Sequence, residues 1–305
     1  MRRIRPAAAI AYVAIAAFVF RRSGIPVSRD LLFGWIVGLL FVLSIGNLRR
    51  FWRGLAFDWL PLAAALTLYD VVRGWGAGRF PIHADEQIWL DRTVFGLGRL
   101  PSTWLQERLW RGSPAWYDYV VWTTYTSFFL VTPVLLGVLW LRDRRRFRRY
   151  ALLLTGLSFA SVLVFLVAPT MPPWLAASKG LTSPVLRPIG DIGTHVPILD
   201  WSALYERGVD SANGIAAFPS LHEGMTVLVS LVLWPTARRA TRCAPVAYPL
   251  LMAFSLVYAG EHYVTDVLGG TALALAVVAA GRRLERRVRR PRELPVGRPV
   301  LAPVD

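Results

Sequence analysis

The sequence predicts an all-α polytopic bundle of about six to eight transmembrane helices, with interfacial helices in an extracytoplasmic segment. Three observations predict it. Of the 305 residues, 55% are hydrophobic, against about 45–50% in an ordinary soluble domain. The excess is gathered into runs of about 14–24 residues, most of them long enough to cross a bilayer. The net charge of +16 is carried by arginines grouped in short loops between those runs, which is the positive-inside pattern of a membrane protein.

Eight runs are candidate spans: residues 7–20, 31–47, 55–73, 118–141, 150–168, 219–235, 247–260 and 264–280. The first is short and flanked by Arg2, Arg3, Arg5, Arg21 and Arg22. Those flanks suggest a signal peptide, but no small-residue cleavage site follows, so the run is read as a span or anchor. Segment 74–117 is too polar to span. Its two amphipathic stretches, one through Ile88, Trp89, Leu90, Val94 and Phe95, the other through Trp104, Leu105, Leu109 and Trp110, suit helices lying in the interface plane. The tail rich in arginine and proline has no apolar periodicity and reads as disordered. The chain is therefore expected to divide into N-terminal transmembrane helices (1–80), a membrane core (81–280) and a disordered cytoplasmic tail (281–305).

Charge sets the orientation. Arg49-Arg50-Phe51-Trp52-Arg53, the six arginines of 142–149, the loop with Arg238, Arg239 and Arg242, and the tail from Arg282 to Arg292 should all be cytoplasmic. Eight spans put them on one side, with Arg21, Arg22 and Arg29 as exceptions. Nucleic acid is not needed to explain the charge. Segments 74–117 and 169–218 then lie outside, as does the turn at 261–264. The sole cysteine, Cys243, permits no intramolecular disulfide and reads as inert.

Two short sequences bear chemistry. Ala217-Phe218-Pro219-Ser220-Leu221-His222 opens one apolar run, and Glu261-His262-Tyr263-Val264-Thr265-Asp266 opens another. The span count returns His222 and His262, forty residues apart in sequence, to the same membrane face. Ionisable groups at membrane depth point to function by default. Pro219 suits a first helical turn, whose free N–H groups favour an anion, and Ser220 adds a hydroxyl. His262 and Asp266 share a helix face, so the carboxylate can fix the imidazole tautomer and leave the other nitrogen to attack. Gly260 and Gly269-Gly270 allow a tight turn and close helix approach. These residues fit a two-step phosphoryl transfer. His262 attacks phosphorus, and His222 protonates the leaving oxygen, then activates the acceptor. No cofactor or metal is required, although two histidines and one aspartate also suit a metal triad, and that rival stays open.

At these residues the chain resembles the type 2 phosphatidic acid phosphatase superfamily. Pro219, Ser220, Leu221 and His222 match its Pro-Ser-x-His motif, and His262 and Asp266 match its His-x-x-x-Asp motif. The resemblance implies His262 as nucleophile, Asp266 as its partner and His222 as general acid. Leu256 stands where the family has arginine after Ser255, and the Lys-x6-Arg-Pro motif is absent, because Lys179 and Arg187-Pro188 are spaced one residue too far. Those absences resemble the branch of inositol phosphorylceramide synthase. So do Pro169-Thr170-Met171-Pro172-Pro173-Trp174, Asn213-Gly214-Ile215-Ala216-Ala217-Phe218, and Asp91-Arg92 with Trp104-Leu105-Gln106.

The branch implies transfer of a phosphoalcohol headgroup, phosphoinositol among the candidates, from a phospholipid to a lipid hydroxyl. The expected phosphate-binding residues are Pro219, Ser220, Asn213, Lys179 and Arg187, with Arg207 also a candidate. His195, Asp200, Tyr205 and Asp210 are possible headgroup contacts, and His83 is read as surface. The expected partners are membrane lipids, with no nucleic acid, and the expected location is the plasma membrane with an extracytoplasmic site. The alternatives are hydrolysis of a lipid mono- or diphosphate and, from another class, a non-catalytic transporter or scaffold.

Overall fold

The computed structural model describes residues 4–23, 29–76, 79–96, 98–196 and 216–289. Among the described residues there is no strand, and each of the eight candidate spans falls on a helix. These are α1 (Ile4–Ser23), α2 (Arg29–Leu43), α3 (Leu48–Gly76, with a π-helical turn at Leu55–Trp59), α6 (Trp116–Arg142), α7 (Arg144–Val167), α10 (Leu221–Leu233), α11 (Ala244–Tyr258) and α12 (Val264–Arg289). Among the described residues, short helices lie between them: α4 (Asp85–Leu90, continued by a π-helical turn to Phe95), α5 (Pro101–Leu109), α8 (Pro173–Ser178) and α9 (Pro188–Thr194). Among the described residues, five helices are long and apolar enough to cross a membrane: Leu48–Gly76, Trp116–Arg142, Arg144–Val167, Arg239–Tyr258 and Val264–Val288. Leu31–Leu43 and Leu221–Leu233 are apolar but shorter.

Local chemistry sets the helix limits. Asp143 alone separates α6 from α7. Its carboxylate accepts the N–H groups of Arg145 and Arg146 at 3.0 and 3.1 Å, the satisfaction that a helix N-terminus requires. Asn47 does the same for α3 through the N–H of Arg50, and Ser220 for α10 through that of Glu223. α12 runs past Gly281 to Arg289, so the helix enters the stretch read from sequence as a disordered tail. On this stretch Glu285 pairs with Arg149 on α7 at 2.9 Å. Residues 290–305 lie outside the described residues.

One apolar core joins the N-terminal helices to the rest. It unites Leu40, Phe51, Trp59 and Leu62 with Trp140, Tyr150, Leu154 and Leu157, and with Met225, Leu228, Ala274 and Val278. At its centre α10 packs on α12, α11 and α7. The helices approach closely because glycines face each other. A Cβ on Gly224 would meet the carbonyl oxygen of Gly270 at 3.1 Å, and one on Gly270 would meet that of Ser220 at 2.2 Å. Small residues at such crossings are the usual means of tight packing between membrane helices.

The segments read as interfacial form α4 and α5. Trp89, Val94, Phe95 and Trp104 are exposed on them, whereas Ile88 is buried against Met171, Ala176 and Tyr263. They pack over the end of the bundle from which α10 and α12 begin.

Candidate active site

α11 runs back between α10 and α12, so the first turns of α10 and α12 lie at the same end of the bundle. His222 and His262 meet there, with ring centroids 5.6 Å apart. His222 is held by aromatic rings. It stacks on Tyr125 at 5.3 Å and contacts Phe128 at 4.1 Å, both on α6. Its Nε2 is buried with no hydrogen-bond partner, a costly arrangement that needs an explanation.

His262 is 6% exposed and Asp266 fully buried. The Nδ1 of His262 faces the Oδ2 of Asp266 at 3.4 Å. That oxygen also accepts the N–H of Tyr263 at 2.9 Å, which fixes the carboxylate. The backbone N–H of Ser220 donates to the carbonyl of Asp266 at 2.9 Å. The start of α10 is thereby tied directly to the residue that orients His262.

Three backbone segments brace this junction. Thr170 forms parallel bridges to His83 on one side and Ala216 on the other, and its hydroxyl accepts the N–H of Phe218 at 2.7 Å. The His83 side chain is exposed, as read from sequence, but its backbone belongs to this brace. Nothing in the spacing of these single residues announces the pairing.

Asp91, quoted from sequence only for its resemblance, has a definite place. Its carboxylate accepts the N–H groups of Val264 and Thr265 at 2.7 and 3.0 Å. It caps α12 from 173 residues away, and the helix dipole favours a negative charge there. Burial pushes the carboxyl up to about 6 against these hydrogen bonds, with the nearby Asp266 charge adding to the rise. Burial likewise raises the Tyr263 phenol above its ordinary range.

Arg187 lies beside His262 but not as an open cation. Its guanidinium donates to both oxygens of Glu261 at 3.0 and 3.1 Å and sits over the Trp174 ring at 4.0 Å. Gly260, before Glu261, has φ +70°, and a Cβ there would meet Val185 at 2.5 Å; the turn that presents Glu261 and His262 therefore requires glycine. Gln106 secures the same turn, donating to the carbonyls of Leu186 and Tyr258 and accepting the Leu186 N–H.

Pro219 and Ser220 are buried at the start of α10. Lys179 is exposed just after α8, and His195 is exposed just after α9. Asn213, Asp200, Tyr205, Arg207 and Asp210 lie outside the described residues. Among the described residues, no three His, Cys, Asp or Glu side chains are grouped to hold a metal ion.

The family described as "PAP2 superfamily" matches residues 96–280, which include both histidines and Asp266. The catalytic subunit of inositol phosphorylceramide synthase from Schizosaccharomyces pombe is 29% identical over 126 residues, covering 40% of this chain and 30% of that protein. Phosphoinositol dihydroceramide synthase from Bacteroides thetaiotaomicron is 26% identical over 156 residues, 47% of this chain and 48% of that protein. The Saccharomyces cerevisiae catalytic subunit is 24% identical over 274 residues, 86% of this chain and 64% of that protein. The chain thus spans less than two thirds of the length of each of these relatives. No solved structure matches it.

Proposed function

The chain belongs to the PAP2 superfamily, and on that premise we propose that it is a membrane lipid phosphotransferase. It moves a phosphoalcohol headgroup, phosphoinositol in the first instance, from a phospholipid to a lipid hydroxyl. The observation that carries this reading is the His222–His262 pair at 5.6 Å, with Asp266 on the inner nitrogen of His262.

With Nδ1 held by Asp266, Nε2 of His262 is the nucleophile. It attacks phosphorus, a P–N bond forms, and the P–O bond to the donor's glyceride breaks. The leaving oxygen takes its proton from His222. The acceptor hydroxyl then gives its proton to His222, and its oxygen attacks phosphorus and breaks the P–N bond. A substrate oxygen supplies the partner that the buried Nε2 of His222 lacks. Asp266 stabilises the cationic ring formed on phosphorylation. Ser220 and Pro219, with Asn213 and Lys179, are proposed to line the phosphate site. Arg187 acts there through Glu261, holding the His262 turn.

The aromatic walls of His222 and the low exposure of His262 favour a lipid hydroxyl over water as acceptor. The names of the relatives in Schizosaccharomyces and Bacteroides support inositol-bearing donors and ceramide-type acceptors. The arginine-rich helix ends lie opposite the histidines, which supports an extracytoplasmic site, and the plasma membrane is the proposed location. The catalytic core is proposed to occupy 81–280, after the N-terminal transmembrane helices of 1–80.

The test is a product assay on membranes carrying the protein, with phosphorus-labelled phosphatidylinositol and with or without a long-chain hydroxylated acceptor. A labelled, acceptor-dependent lipid is expected. Release of water-soluble phosphate alone under every condition would instead establish hydrolysis.

A further inference from the structure

We propose that the arginine-lined cavity at the end of the bundle opposite the histidines binds the phosphate-bearing headgroup of an anionic membrane lipid. The proposal does not rest on the histidine site. The cavity, of about 700 Å³, lies between the start of α3 and the start of α7. It is lined by Asn47, Arg49, Arg50, Arg53, Asp58, Arg144 and Arg148, with Gly54 and Phe57. α7 has 24 residues between Arg144 and Val167, roughly 36 Å at 1.5 Å per residue. That length separates the cavity from Thr170 and the histidines.

The site is built rather than a loose spray of surface charge. Asp58 is buried at the π-helical turn of α3. It binds Arg144 directly and accepts from Nε of Arg148 at 2.8 Å. The Arg144 guanidinium also lies over the Trp140 ring at 3.6 Å. Gly54 makes this possible, because a Cβ there would meet the guanidinium at 2.5 Å. One buried carboxylate therefore holds two guanidiniums of the lining.

Asp58 is the one carboxylate among the described residues of the lining, and it is already shared by those two arginines. Arg49, Arg50 and Arg53 complete the basic lining. Arg49 and Arg53 stand four residues apart on one helix face, where like charges repel. The N-terminal end of α3 adds positive dipole to the same space. A multiply charged phosphate neutralises this excess and suits the planar donors of arginine. The position, at the end of membrane-crossing helices, is where lipid headgroups lie.

The test uses the full-length protein in neutral detergent. Thermal unfolding is measured with added phosphatidic acid, phosphatidylcholine or inorganic phosphate, and lipid retention is read by native mass spectrometry. Three proteins are compared: the unmodified chain, Arg49→Gln with Arg53→Gln, and Arg145→Gln with Arg146→Gln. The last pair lies at the same end but does not line the cavity. Phosphatidic acid should raise the melting temperature by several degrees more than phosphatidylcholine in the unmodified and Arg145/Arg146 proteins. The difference should vanish in the Arg49/Arg53 protein, along with the retained lipid. Should that double variant fail to fold, Arg53→Gln alone takes its place. Equal loss in both double variants would reduce the effect to general surface charge and overturn the proposal. A full shift with inorganic phosphate and none with the lipid would overturn the assignment to a lipid.

Discussion

Asp91 accepts the backbone N–H of Val264 at 2.7 Å, so a buried carboxylate from the segment between α3 and α6 holds the first turn of the helix that carries Asp266. Its carboxyl is pushed up to about 6 in the fold from an ordinary 3.8. The folded protein therefore binds this proton more tightly than the unfolded chain. The resulting stabilisation is present in full below pH 3.8 and is lost as pH rises through 6. The difference corresponds to roughly 3 kcal/mol at most. Thermal melts from pH 4 to 8 should show a fall with rising pH in the native chain that is absent in Asp91→Asn. Equal pH slopes in both proteins would contradict this. Asp91→Ala, which leaves two N–H groups unpaired, should cost about 1–3 kcal/mol.

His222→Ala and His262→Ala should each lower turnover by about 10²–10⁴-fold or more, with little change in melting temperature. Because one ring must start neutral and the other protonated, the native pH–rate profile should be bell-shaped. Cells expressing either variant should lose the lipid product. Full turnover in both variants would contradict the roles given to the two rings.

Much of this was legible in sequence, for identifiable reasons. Apolar runs marked the spans because a bilayer demands unbroken stretches of one polarity. His222, His262 and Asp266 were legible because each sits at a fixed offset from a helix start. Three features were not. The Asp91 cap joins residues 173 positions apart and leaves no periodic trace. The brace of His83, Thr170 and Ala216 uses backbone groups that any side chain carries. Arg187 stood out as a cation, but its pairing with Glu261 depends on the positive-φ turn at Gly260, which composition does not reveal.

Gly270→Ala should be among the most damaging single changes. Its Cβ would lie 2.2 Å from the Ser220 carbonyl oxygen, a backbone atom that cannot rotate away. Forcing α10 off α12 should cost about 1–3 kcal/mol or more and move Ser220 relative to Asp266. Melting temperature and activity should fall together. Unchanged values would show that the helices separate easily.

The Arg187–Glu261 pair should be coupled. A double-mutant cycle with Arg187→Ala and Glu261→Ala should give an interaction energy of about 1–3 kcal/mol in stability. Arg187→Lys, which cannot make both contacts in plane, should lower kcat more than it raises KM. Strict additivity in the cycle would remove the positioning role given to this pair.

The most direct measurement is acid-free trapping of the protein during turnover with donor labelled at phosphorus, followed by peptide mapping. The label should appear on His262, be absent in His262→Ala, and be lost on chasing with acceptor. Turnover with no label on any histidine, or label on a residue other than His262, would contradict the account.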